Sequence, residues 1–330
     1  MTALNKTTAS PLMVTVAFAT VYLVWGSTYF FISVAVLGGM PPLVLGTIRF
    51  IVAGLLMLIW CIVKGDKVWN LKNIGNSAVS GLMLLLIGNG VVMWVEKTMA
   101  SAVVAIMVSA APIWTVLLDK RNWRENFSSS YTIIGLVVGF GGMLLLFGEQ
   151  FMDAVHASKG ATSFVGMTLL VIGSISWTGG SLYSKYKSGN TPARVNIAWQ
   201  MVSAGIAFIP VSLVSGEWHG LDMAALPTKA WLALAYLVVF GSIAAFSAYV
   251  WLMSVRPATQ VSTYGYVNPV IAVILGILFA SEHVSLMQIG GLVVILGSVL
   301  LINLAKYRKA KTVVEPENQS SENELKVACE

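Results

Sequence analysis

Long, largely apolar runs of residues are the feature that most constrains what this chain can fold into. Each run lasts about 17–25 residues, the length that an α-helix needs to cross roughly 30 Å of hydrocarbon. A membrane β-barrel would instead show segments of about ten residues with alternating polarity. The chain is 57% hydrophobic and only 10% charged, whereas soluble domains carry about 25% charged residues. The sequence therefore predicts an all-α polytopic membrane protein.

Ten such spans follow one another along the chain, and they are numbered here in order. They lie near residues 12–37, 42–63, 75–95, 100–118, 131–148, 163–184, 195–215, 229–252, 257–280 and 285–305. The first span is too long for the apolar part of a signal peptide and has only Lys6 before it. We therefore expect it to remain in the mature protein as a transmembrane helix. Ten helices place both termini on the same side of the membrane.

The basic residues are divided unequally between the two sides of the membrane. Of the 20 Lys and Arg residues, sixteen fall on the side of the termini, and three (Lys97, Lys159 and Lys229) fall on the other. The remaining one, Arg49, lies within the second span. Because Lys and Arg concentrate in cytoplasmic loops, we expect both termini in the cytoplasm. The net charge of +6 then reflects membrane topology and not nucleic-acid binding.

An internal repeat divides the chain into two halves. Four pairs of landmarks occur in the same order in both halves: TIIGLVVGFGGMLLLF (132–147) with QIGGLVVILGSVLLIN (288–303), RFIVAG (49–54) with QMVSAG (200–205), Trp25 with Trp177, and Pro112 with Pro269. Because each half then has five helices, an odd number, the second half must enter the membrane in the opposite orientation. Inverted repeats are a recurrent plan of secondary transporters, whose substrate site lies near the midplane where the repeats meet.

The repeat predicts the organisation of the whole chain. The expected segments are a cytoplasmic N-terminus (1–11), a first repeat (12–148), an external linker (149–162), a second repeat (163–305) and a cytoplasmic polar tail (306–330). We expect the tail to be disordered because it is polar and has few apolar residues to bury.

Polar and aromatic residues interrupt the apolar spans at equivalent depths of the two repeats. The clearest examples are WGSTYF, which begins at Trp25, and WTGGSLYS, which begins at Trp177. In lipid such side chains need a hydrogen-bond partner or a water-lined cavity. They either line a central cavity, or they serve helix packing and interfacial anchoring. The candidates for cavity lining are Trp25, Thr28, Tyr29, Arg49, Asn89, Trp114, Trp177, Tyr183, Gln200, Tyr264 and Asn268.

Two of these positions carry more specific expectations. Arg49 is the one full charge well inside a span, and an intramembrane charge costs at least a few kcal/mol. It either binds an anionic or carboxylate group, pairs with a helix carbonyl, or extends to the membrane interface. In the ninth span, Tyr264 and Asn268 share one helix face. Pro269, like Pro112 in the fourth span, is a candidate kink.

Several kinds of chemistry have no support in the sequence. It contains no phosphate-binding loop, no helical pair of zinc ligands and no pair of intramembrane Asp residues. Cys61 lies in an apolar span and Cys329 in the tail, so no disulfide framework is indicated. We therefore expect neither a metal nor a cofactor, and no enzymatic activity.

Several motifs together resemble a known family. They are WGSTYF, RF..AG, the alanine- and serine-rich stretch of the fourth span up to Pro112, YGYVNPVIAVILG (264–276) followed by Glu282, GNG (88–90), GSISW (173–177) and FGSI (240–243). This pattern resembles the EamA family of the drug/metabolite transporter superfamily, and most of all its bacterial drug/metabolite exporter branch. The resemblance covers essentially residues 12–305. It implies ten transmembrane helices in two inverted repeats, a central cavity, and export of small metabolites, amino acids or xenobiotics.

The resemblance leads to a functional expectation with two alternatives. We expect a permease of the bacterial inner membrane that exports a small organic metabolite, amino acid or drug-like compound by alternating access. Its partners are the solute and the lipid bilayer, and its oligomeric state stays open, a monomer included. One alternative is a passive facilitator or channel. The other is an antiporter of phosphorylated or nucleotide-linked sugars, which would need several intramembrane basic residues for phosphate, whereas the spans hold Arg49 alone.

Overall fold

The computed structural model describes residues 9–95, 104, 107–157, 161–189, 191–280 and 285–303, and within these ranges all regular elements are helices. They are α1 (Pro11–Leu37), α2 (Pro42–Val63), α3 (Leu71–Val95), α4 (Met107–Leu118), α5 (Trp123–Ser128), α6 (Ser130–Ala157), α7 (Ala161–Lys187), α8 (Ala193–Val214), α9 (Thr228–Val255), α10 (Ala258–Val261), α11 (Tyr264–Ala280) and α12 (Leu286–Asn303). The all-α prediction is confirmed for this part of the chain. Glu282 and the tail 306–330 lie outside the described residues.

Eight of these helices are long and apolar enough to cross a membrane, namely α1, α2, α3, α6, α7, α8, α9 and α12. The predicted fourth and ninth spans coincide with α4 and α11, which are shorter within the described residues. The count of ten spans therefore stays a prediction. The predicted linker 149–162 is largely helical, because α6 continues to Ala157 and α7 begins at Ala161.

The start of α2 shows how local sequence sets a helix boundary and also joins the two halves. Pro42 is the first residue of α2, a position where the missing N–H of proline costs nothing. The Glu217 carboxylate accepts hydrogen bonds from the backbone N–H groups of Leu43 (2.7 Å) and Val44 (3.1 Å). A carboxylate there satisfies unpaired amides and complements the helix dipole. Glu217 lies in the α8–α9 connection, so the cap comes from the second half.

Helices α2 and α8 pack closely at a crossing to which each contributes a glycine. A Cβ added at Gly54 would lie 2.7 Å from the backbone nitrogen of Val202, and one at Gly205 would lie 2.7 Å from that of Ile51. The sequence alignment pairs Gly54 with Gly205 and Ile51 with Val202. The two contacts are therefore counterparts of each other, and both depend on the absence of a side chain.

Helices α6 and α12 repeat this reciprocal arrangement. A Cβ at Gly135 would lie 2.6 Å from Cγ1 of Ile302, and one at Gly291 would lie 2.7 Å from the backbone nitrogen of Leu146. The alignment again pairs the two glycines with each other and Leu146 with Ile302. Helices α6 and α12, the last long helix of each half, thus meet through equivalent surfaces.

Helices α3 and α9 both depart from regular α-helical geometry near their middle. The backbone forms a π-helical segment over Leu82–Asn89 in α3 and over Leu237–Ala245 in α9. Each of these two is the third long helix of its half. Such π segments often occur at functional sites. The π segment of α9 packs against α1 and α2, and that of α3 packs against α7 and α8.

Candidate functional site

A cavity of about 120 Å³ lies between α1, α2, α3, α4, α7, α9 and α11, helices that belong to both halves. For scale, an engineered cavity of about 150 Å³ in another protein accepts benzene. The volume therefore suits a small organic molecule. Eight of the predicted candidates lie in its wall: Trp25, Thr28, Tyr29, Arg49, Asn89, Trp177, Tyr264 and Asn268.

Trp114, Tyr183 and Gln200 are the three candidates that the structure does not place in the cavity wall. Tyr183 donates a hydrogen bond to Oδ1 of Asn76 (3.0 Å). Gln200 is buried where α8 meets α3 and α7, and its Nε2 donates to Oγ of Ser184 (2.9 Å). Trp114 is half-buried on α4. The contacts of Tyr183 and Gln200 are contacts between helices.

Arg49 extends from α2 into the cavity wall. Its side chain is only 4% exposed, and its Nε donates a hydrogen bond to Oγ of Ser242 (2.8 Å). The guanidinium carbon lies 5.1 Å from the centroid of the Phe50 ring. Gly241 leaves room for the charged group, since a Cβ there would lie 2.9 Å from Nη2. The close approach of α2 and α9 therefore positions the guanidinium.

No described residue supplies a counter-charge to Arg49. Among the described residues, no carboxylate forms an ion pair with Arg49, and the N–H groups of its Nη1 and Nη2 have no hydrogen-bond partner. It is also the one charged side chain in the cavity wall that these residues form. No group of three His, Cys, Asp or Glu residues that could hold a metal ion occurs in the described part of the chain.

Four aromatic rings form a cluster at one end of the cavity. The centroid of the Trp25 ring lies 5.6 Å from that of Trp177, 5.0 Å from Tyr249 and 5.2 Å from Tyr264. The rings meet edge-on or tilted, as their quadrupoles favour. Nε1 of Trp25 donates to the carbonyl of Gly241 (3.1 Å). This ring cluster of Trp25, Trp177, Tyr249 and Tyr264 is thus fixed to the π segment of α9.

The ring cluster separates the cavity from a second, much smaller space. Trp177 and Tyr264 line both spaces, whereas Tyr249 lines only the smaller one, which has a volume of about 10 Å³. The smaller space has hydroxyl groups in its wall, among them those of Thr115 and Ser181. The cluster is therefore a partition between the two spaces.

Beyond this partition, hydrogen bonds join the ends of α4, α7 and α9. The Tyr186 hydroxyl donates to Oδ1 of Asp119 (2.6 Å), a side chain that is 2% exposed. Nζ of Lys185 donates to the carbonyl of Arg256 (2.6 Å) at the end of α9. A cation there also complements the helix dipole. The contact between Asp119 and Tyr186 joins the first half to the second at this end of the molecule.

Several residues of the site escaped prediction. Ser174, Gly241 and Ser242 line the cavity, and Tyr249 belongs to the ring cluster. The first three lie in the motifs GSISW and FGSI, on which the family resemblance partly rests. That signal could have identified them, but small residues in membrane helices equally serve close packing.

Comparisons with known proteins identify the family. The sequence profile of the EamA-like transporter family matches residues 12–148 and 164–304. The chain belongs to this family. "Uncharacterized inner membrane transporter YedA" of Escherichia coli (strain K12) is 35% identical over 309 residues, which cover 92% of this chain and 95% of YedA. "Protein PecM" of Dickeya dadantii (strain 3937) is 23% identical over 304 residues, or 90% of this chain and 94% of PecM.

A solved crystal structure has the same fold as this EamA-like transporter. It has a TM-score of 0.73 at 17% sequence identity, covering 91% of this chain and 99% of the solved chain. The family resemblance drawn from the motifs is confirmed. Membership of a family of membrane transporters also confirms that the chain is not an enzyme.

Proposed function

We propose that this EamA-like transporter is a secondary transporter of the bacterial inner membrane that exports a small organic solute by alternating access. The observation that carries the proposal is the cavity itself. Its wall combines helices of both halves, and the ring cluster closes one end. Trp25, Thr28, Arg49, Tyr264 and Asn268 are the residues that we assign to solute contact.

An inverted repeat of five plus five transmembrane helices is part of this proposal. Two reciprocal contacts support it, the pair Gly54 and Gly205 between α2 and α8, and the pair Gly135 and Gly291 between α6 and α12. The equivalent π segments of α3 and α9 support it too. In such transporters each repeat can adopt the conformation that the other holds, which moves the opening of the site across the membrane.

The distribution of basic residues indicates which side of the membrane the closed end of the cavity faces. The end beyond the ring cluster is the one at which α4, α7 and α9 finish, and the positive-inside rule makes that end cytoplasmic. The described conformation is then shut toward the cytoplasm by the ring cluster and by the contact between Asp119 and Tyr186. Loading of a solute for export requires both to open.

Counterflow in proteoliposomes tests the proposal. Vesicles containing purified protein are loaded with one of a panel of organic acids, amino acids and aromatic amines, and uptake of the same labelled compound is followed. A carrier gives saturable uptake that the internal solute stimulates. Uptake that neither saturates nor responds to the internal solute would identify a facilitator or channel instead.

A substitution in the ring cluster adds a structural control to the counterflow test. Trp25→Ala removes the ring that contacts the three others, so we expect trans-stimulation to fall by about tenfold or more, equivalent to 1.4 kcal/mol. Trp94→Ala is the matched control, because Trp94 lies on α3 outside the cavity wall and is 42% exposed. Equal activity of the two variants at equal abundance in the membrane would contradict the assigned role of the cluster.

A further inference from the structure

We infer that the solute is a small monocarboxylate with an apolar body and no ammonium group. The inference rests on the proposed function, because it takes the cavity as the place where the solute binds. Three features carry it: the unpaired charge of Arg49, the adjacent residues of α9 that hold this charge and the ring cluster, and the absence of acidic side chains from the described cavity wall.

The first feature is the unsatisfied guanidinium. A charge removed from water costs several kcal/mol unless it is paired, yet Arg49 is 4% exposed and its one hydrogen-bonded neighbour among the described residues is the neutral Ser242 hydroxyl. Its remaining N–H groups form a planar fork that matches the two oxygens of a carboxylate. A bound carboxylate would supply the missing charge. One cation in the wall calls for one negative charge on the solute.

The second feature is that two neighbouring residues of α9 hold the charged group and the ring cluster by hydrogen bonds. Arg49 is hydrogen-bonded to the side chain of Ser242, and Trp25 is hydrogen-bonded to the carbonyl of Gly241. Consecutive Cα atoms are about 3.8 Å apart, so the guanidinium and the ring cluster are held within the length of one small molecule. A solute of this length can place its carboxylate on Arg49 and its apolar body against the rings.

The third feature concerns what the cavity wall lacks. Among the described residues that line it, none is Asp or Glu. The other polar groups are neutral, and Oδ1 of Asn268 is buried without a hydrogen-bond partner. Such an oxygen suits a hydroxyl or other neutral donor of the solute. An ammonium group would lose its hydration with no counter-charge from the described residues of this wall, at a cost of several kcal/mol. The wall therefore favours an organic acid over a zwitterionic amino acid.

Binding of four matched probes to the detergent-solubilised protein tests the inference. Phenylacetate, phenylacetamide, phenethylamine and L-phenylalanine carry the same ring but differ in charge. By isothermal titration calorimetry we expect phenylacetate to bind about tenfold or more tightly than each of the others. Equally tight binding of the amide, the amine or the amino acid would overturn the inference, and so would a failure of phenylacetate to bind.

Substitution of Arg49 identifies the group responsible. Arg49→Gln installs the residue of the equivalent position in the second repeat, and we expect it to weaken phenylacetate binding by about 10- to 100-fold, the usual range for a hydrogen bond to a charged group. Arg49→Lys keeps the charge but not the fork, so we expect an intermediate loss. Arg194→Gln is the matched control, since Arg194 pairs with Asp66 (Nη2 to Oδ1, 2.7 Å) outside the cavity wall.

The outcomes separate this inference from the proposed function. Unchanged phenylacetate binding in Arg49→Gln would overturn the inference, and the probe comparison in the wild-type protein decides it independently if that variant fails to fold. Selective binding of phenylacetate without counterflow would leave the inference standing and contradict the transport proposal. Counterflow of phenethylamine but not of phenylacetate would contradict the inference and leave the transport proposal standing.

Discussion

Arg49 in α2 and Gln200 in α8 occupy equivalent positions of the two repeats, yet their surroundings differ completely. Both lie at the same distance from the first residue of their helix, and both are buried. The guanidinium of Arg49 ends in the cavity wall, beside Ser242 of α9. The amide of Gln200 ends among packed helices, where it donates to Ser184 and its Oε1 has no hydrogen-bond partner.

This difference shows that the two repeats share a scaffold but not a chemistry. The contacts that bring α2 and α8 together, at Gly54 and Gly205, have nearly the same geometry on both sides. The charged group is present on one side only. In the proposed function, the repeated backbone provides the movement of alternating access, while a single unrepeated residue sets which solute is recognised.

We expect the largest effect on stability from giving the second repeat the same charge as the first. Gln200→Arg places a cation in a site that is 1% exposed and opens onto no described cavity, and a buried unpaired charge costs about 3–5 kcal/mol. We expect a large fall in the thermal unfolding temperature of the detergent-solubilised protein. Gln200→Met, which is neutral and of similar size, is the control. Wild-type stability of Gln200→Arg would show that the two sites are interchangeable.

The shared scaffold predicts equal effects from an equivalent pair of substitutions. Gly54→Ala and Gly205→Ala each place a methyl group within 2.7 Å of a backbone nitrogen of the facing helix, and overpacking of this kind costs about 1–3 kcal/mol. Thermal unfolding should therefore show similar losses for both variants. Gly141→Ala is the control, because nothing lies within 4 Å of its added Cβ. A loss confined to one member of the pair would contradict a symmetric α2–α8 contact.

The sequence predicts the helices better than the cavity because helices depend on local sequence, whereas the cavity depends on how distant segments pack. Length and hydrophobicity are local, and they were sufficient to place α1, α2 and α8 close to their observed bounds. Whether a polar residue faces the cavity depends on how helices cross. Tyr183 and Gln200 are as polar as Thr28 and Asn89 in their apolar context, yet they face neighbouring helices.

The π segment of α9 illustrates the same limit for residues that sequence reasoning missed. Gly241 and Ser242 are typical of helix packing in a membrane protein. A π turn adds a residue to the helical repeat and so changes which residues face the interior. Neither the hydropathy of Leu237–Ala245 nor its composition indicates that turn, and the contacts that Gly241 and Ser242 make with Trp25 and Arg49 follow from it.

The smallest change that sharpens the comparison alters the position of the charge and not the charge itself. A Cβ in Gly241→Ala would lie 2.9 Å from Nη2 of Arg49 and 3.2 Å from Cγ2 of Thr28. Because the guanidinium is the end of a flexible side chain, it can move aside at little cost in stability. We expect phenylacetate affinity to fall by up to about tenfold, or 1.4 kcal/mol, while the thermal unfolding temperature stays near that of Gly141→Ala. Titration calorimetry measures the first quantity.

The result of Gly241→Ala distinguishes recognition by charge from recognition by geometry. The variant keeps the cation in the cavity wall, so any loss of affinity reports the placement of the fork relative to the ring cluster. If phenylacetate binds as tightly as to the wild type while Arg49→Gln loses binding, a positive charge alone is sufficient and the alignment with Trp25 is incidental. If both variants lose binding and Arg194→Gln does not, the π segment of α9 is the element that aligns the Arg49 guanidinium with the ring cluster. The second outcome is the one that the hydrogen bonds at Gly241 and Ser242 predict.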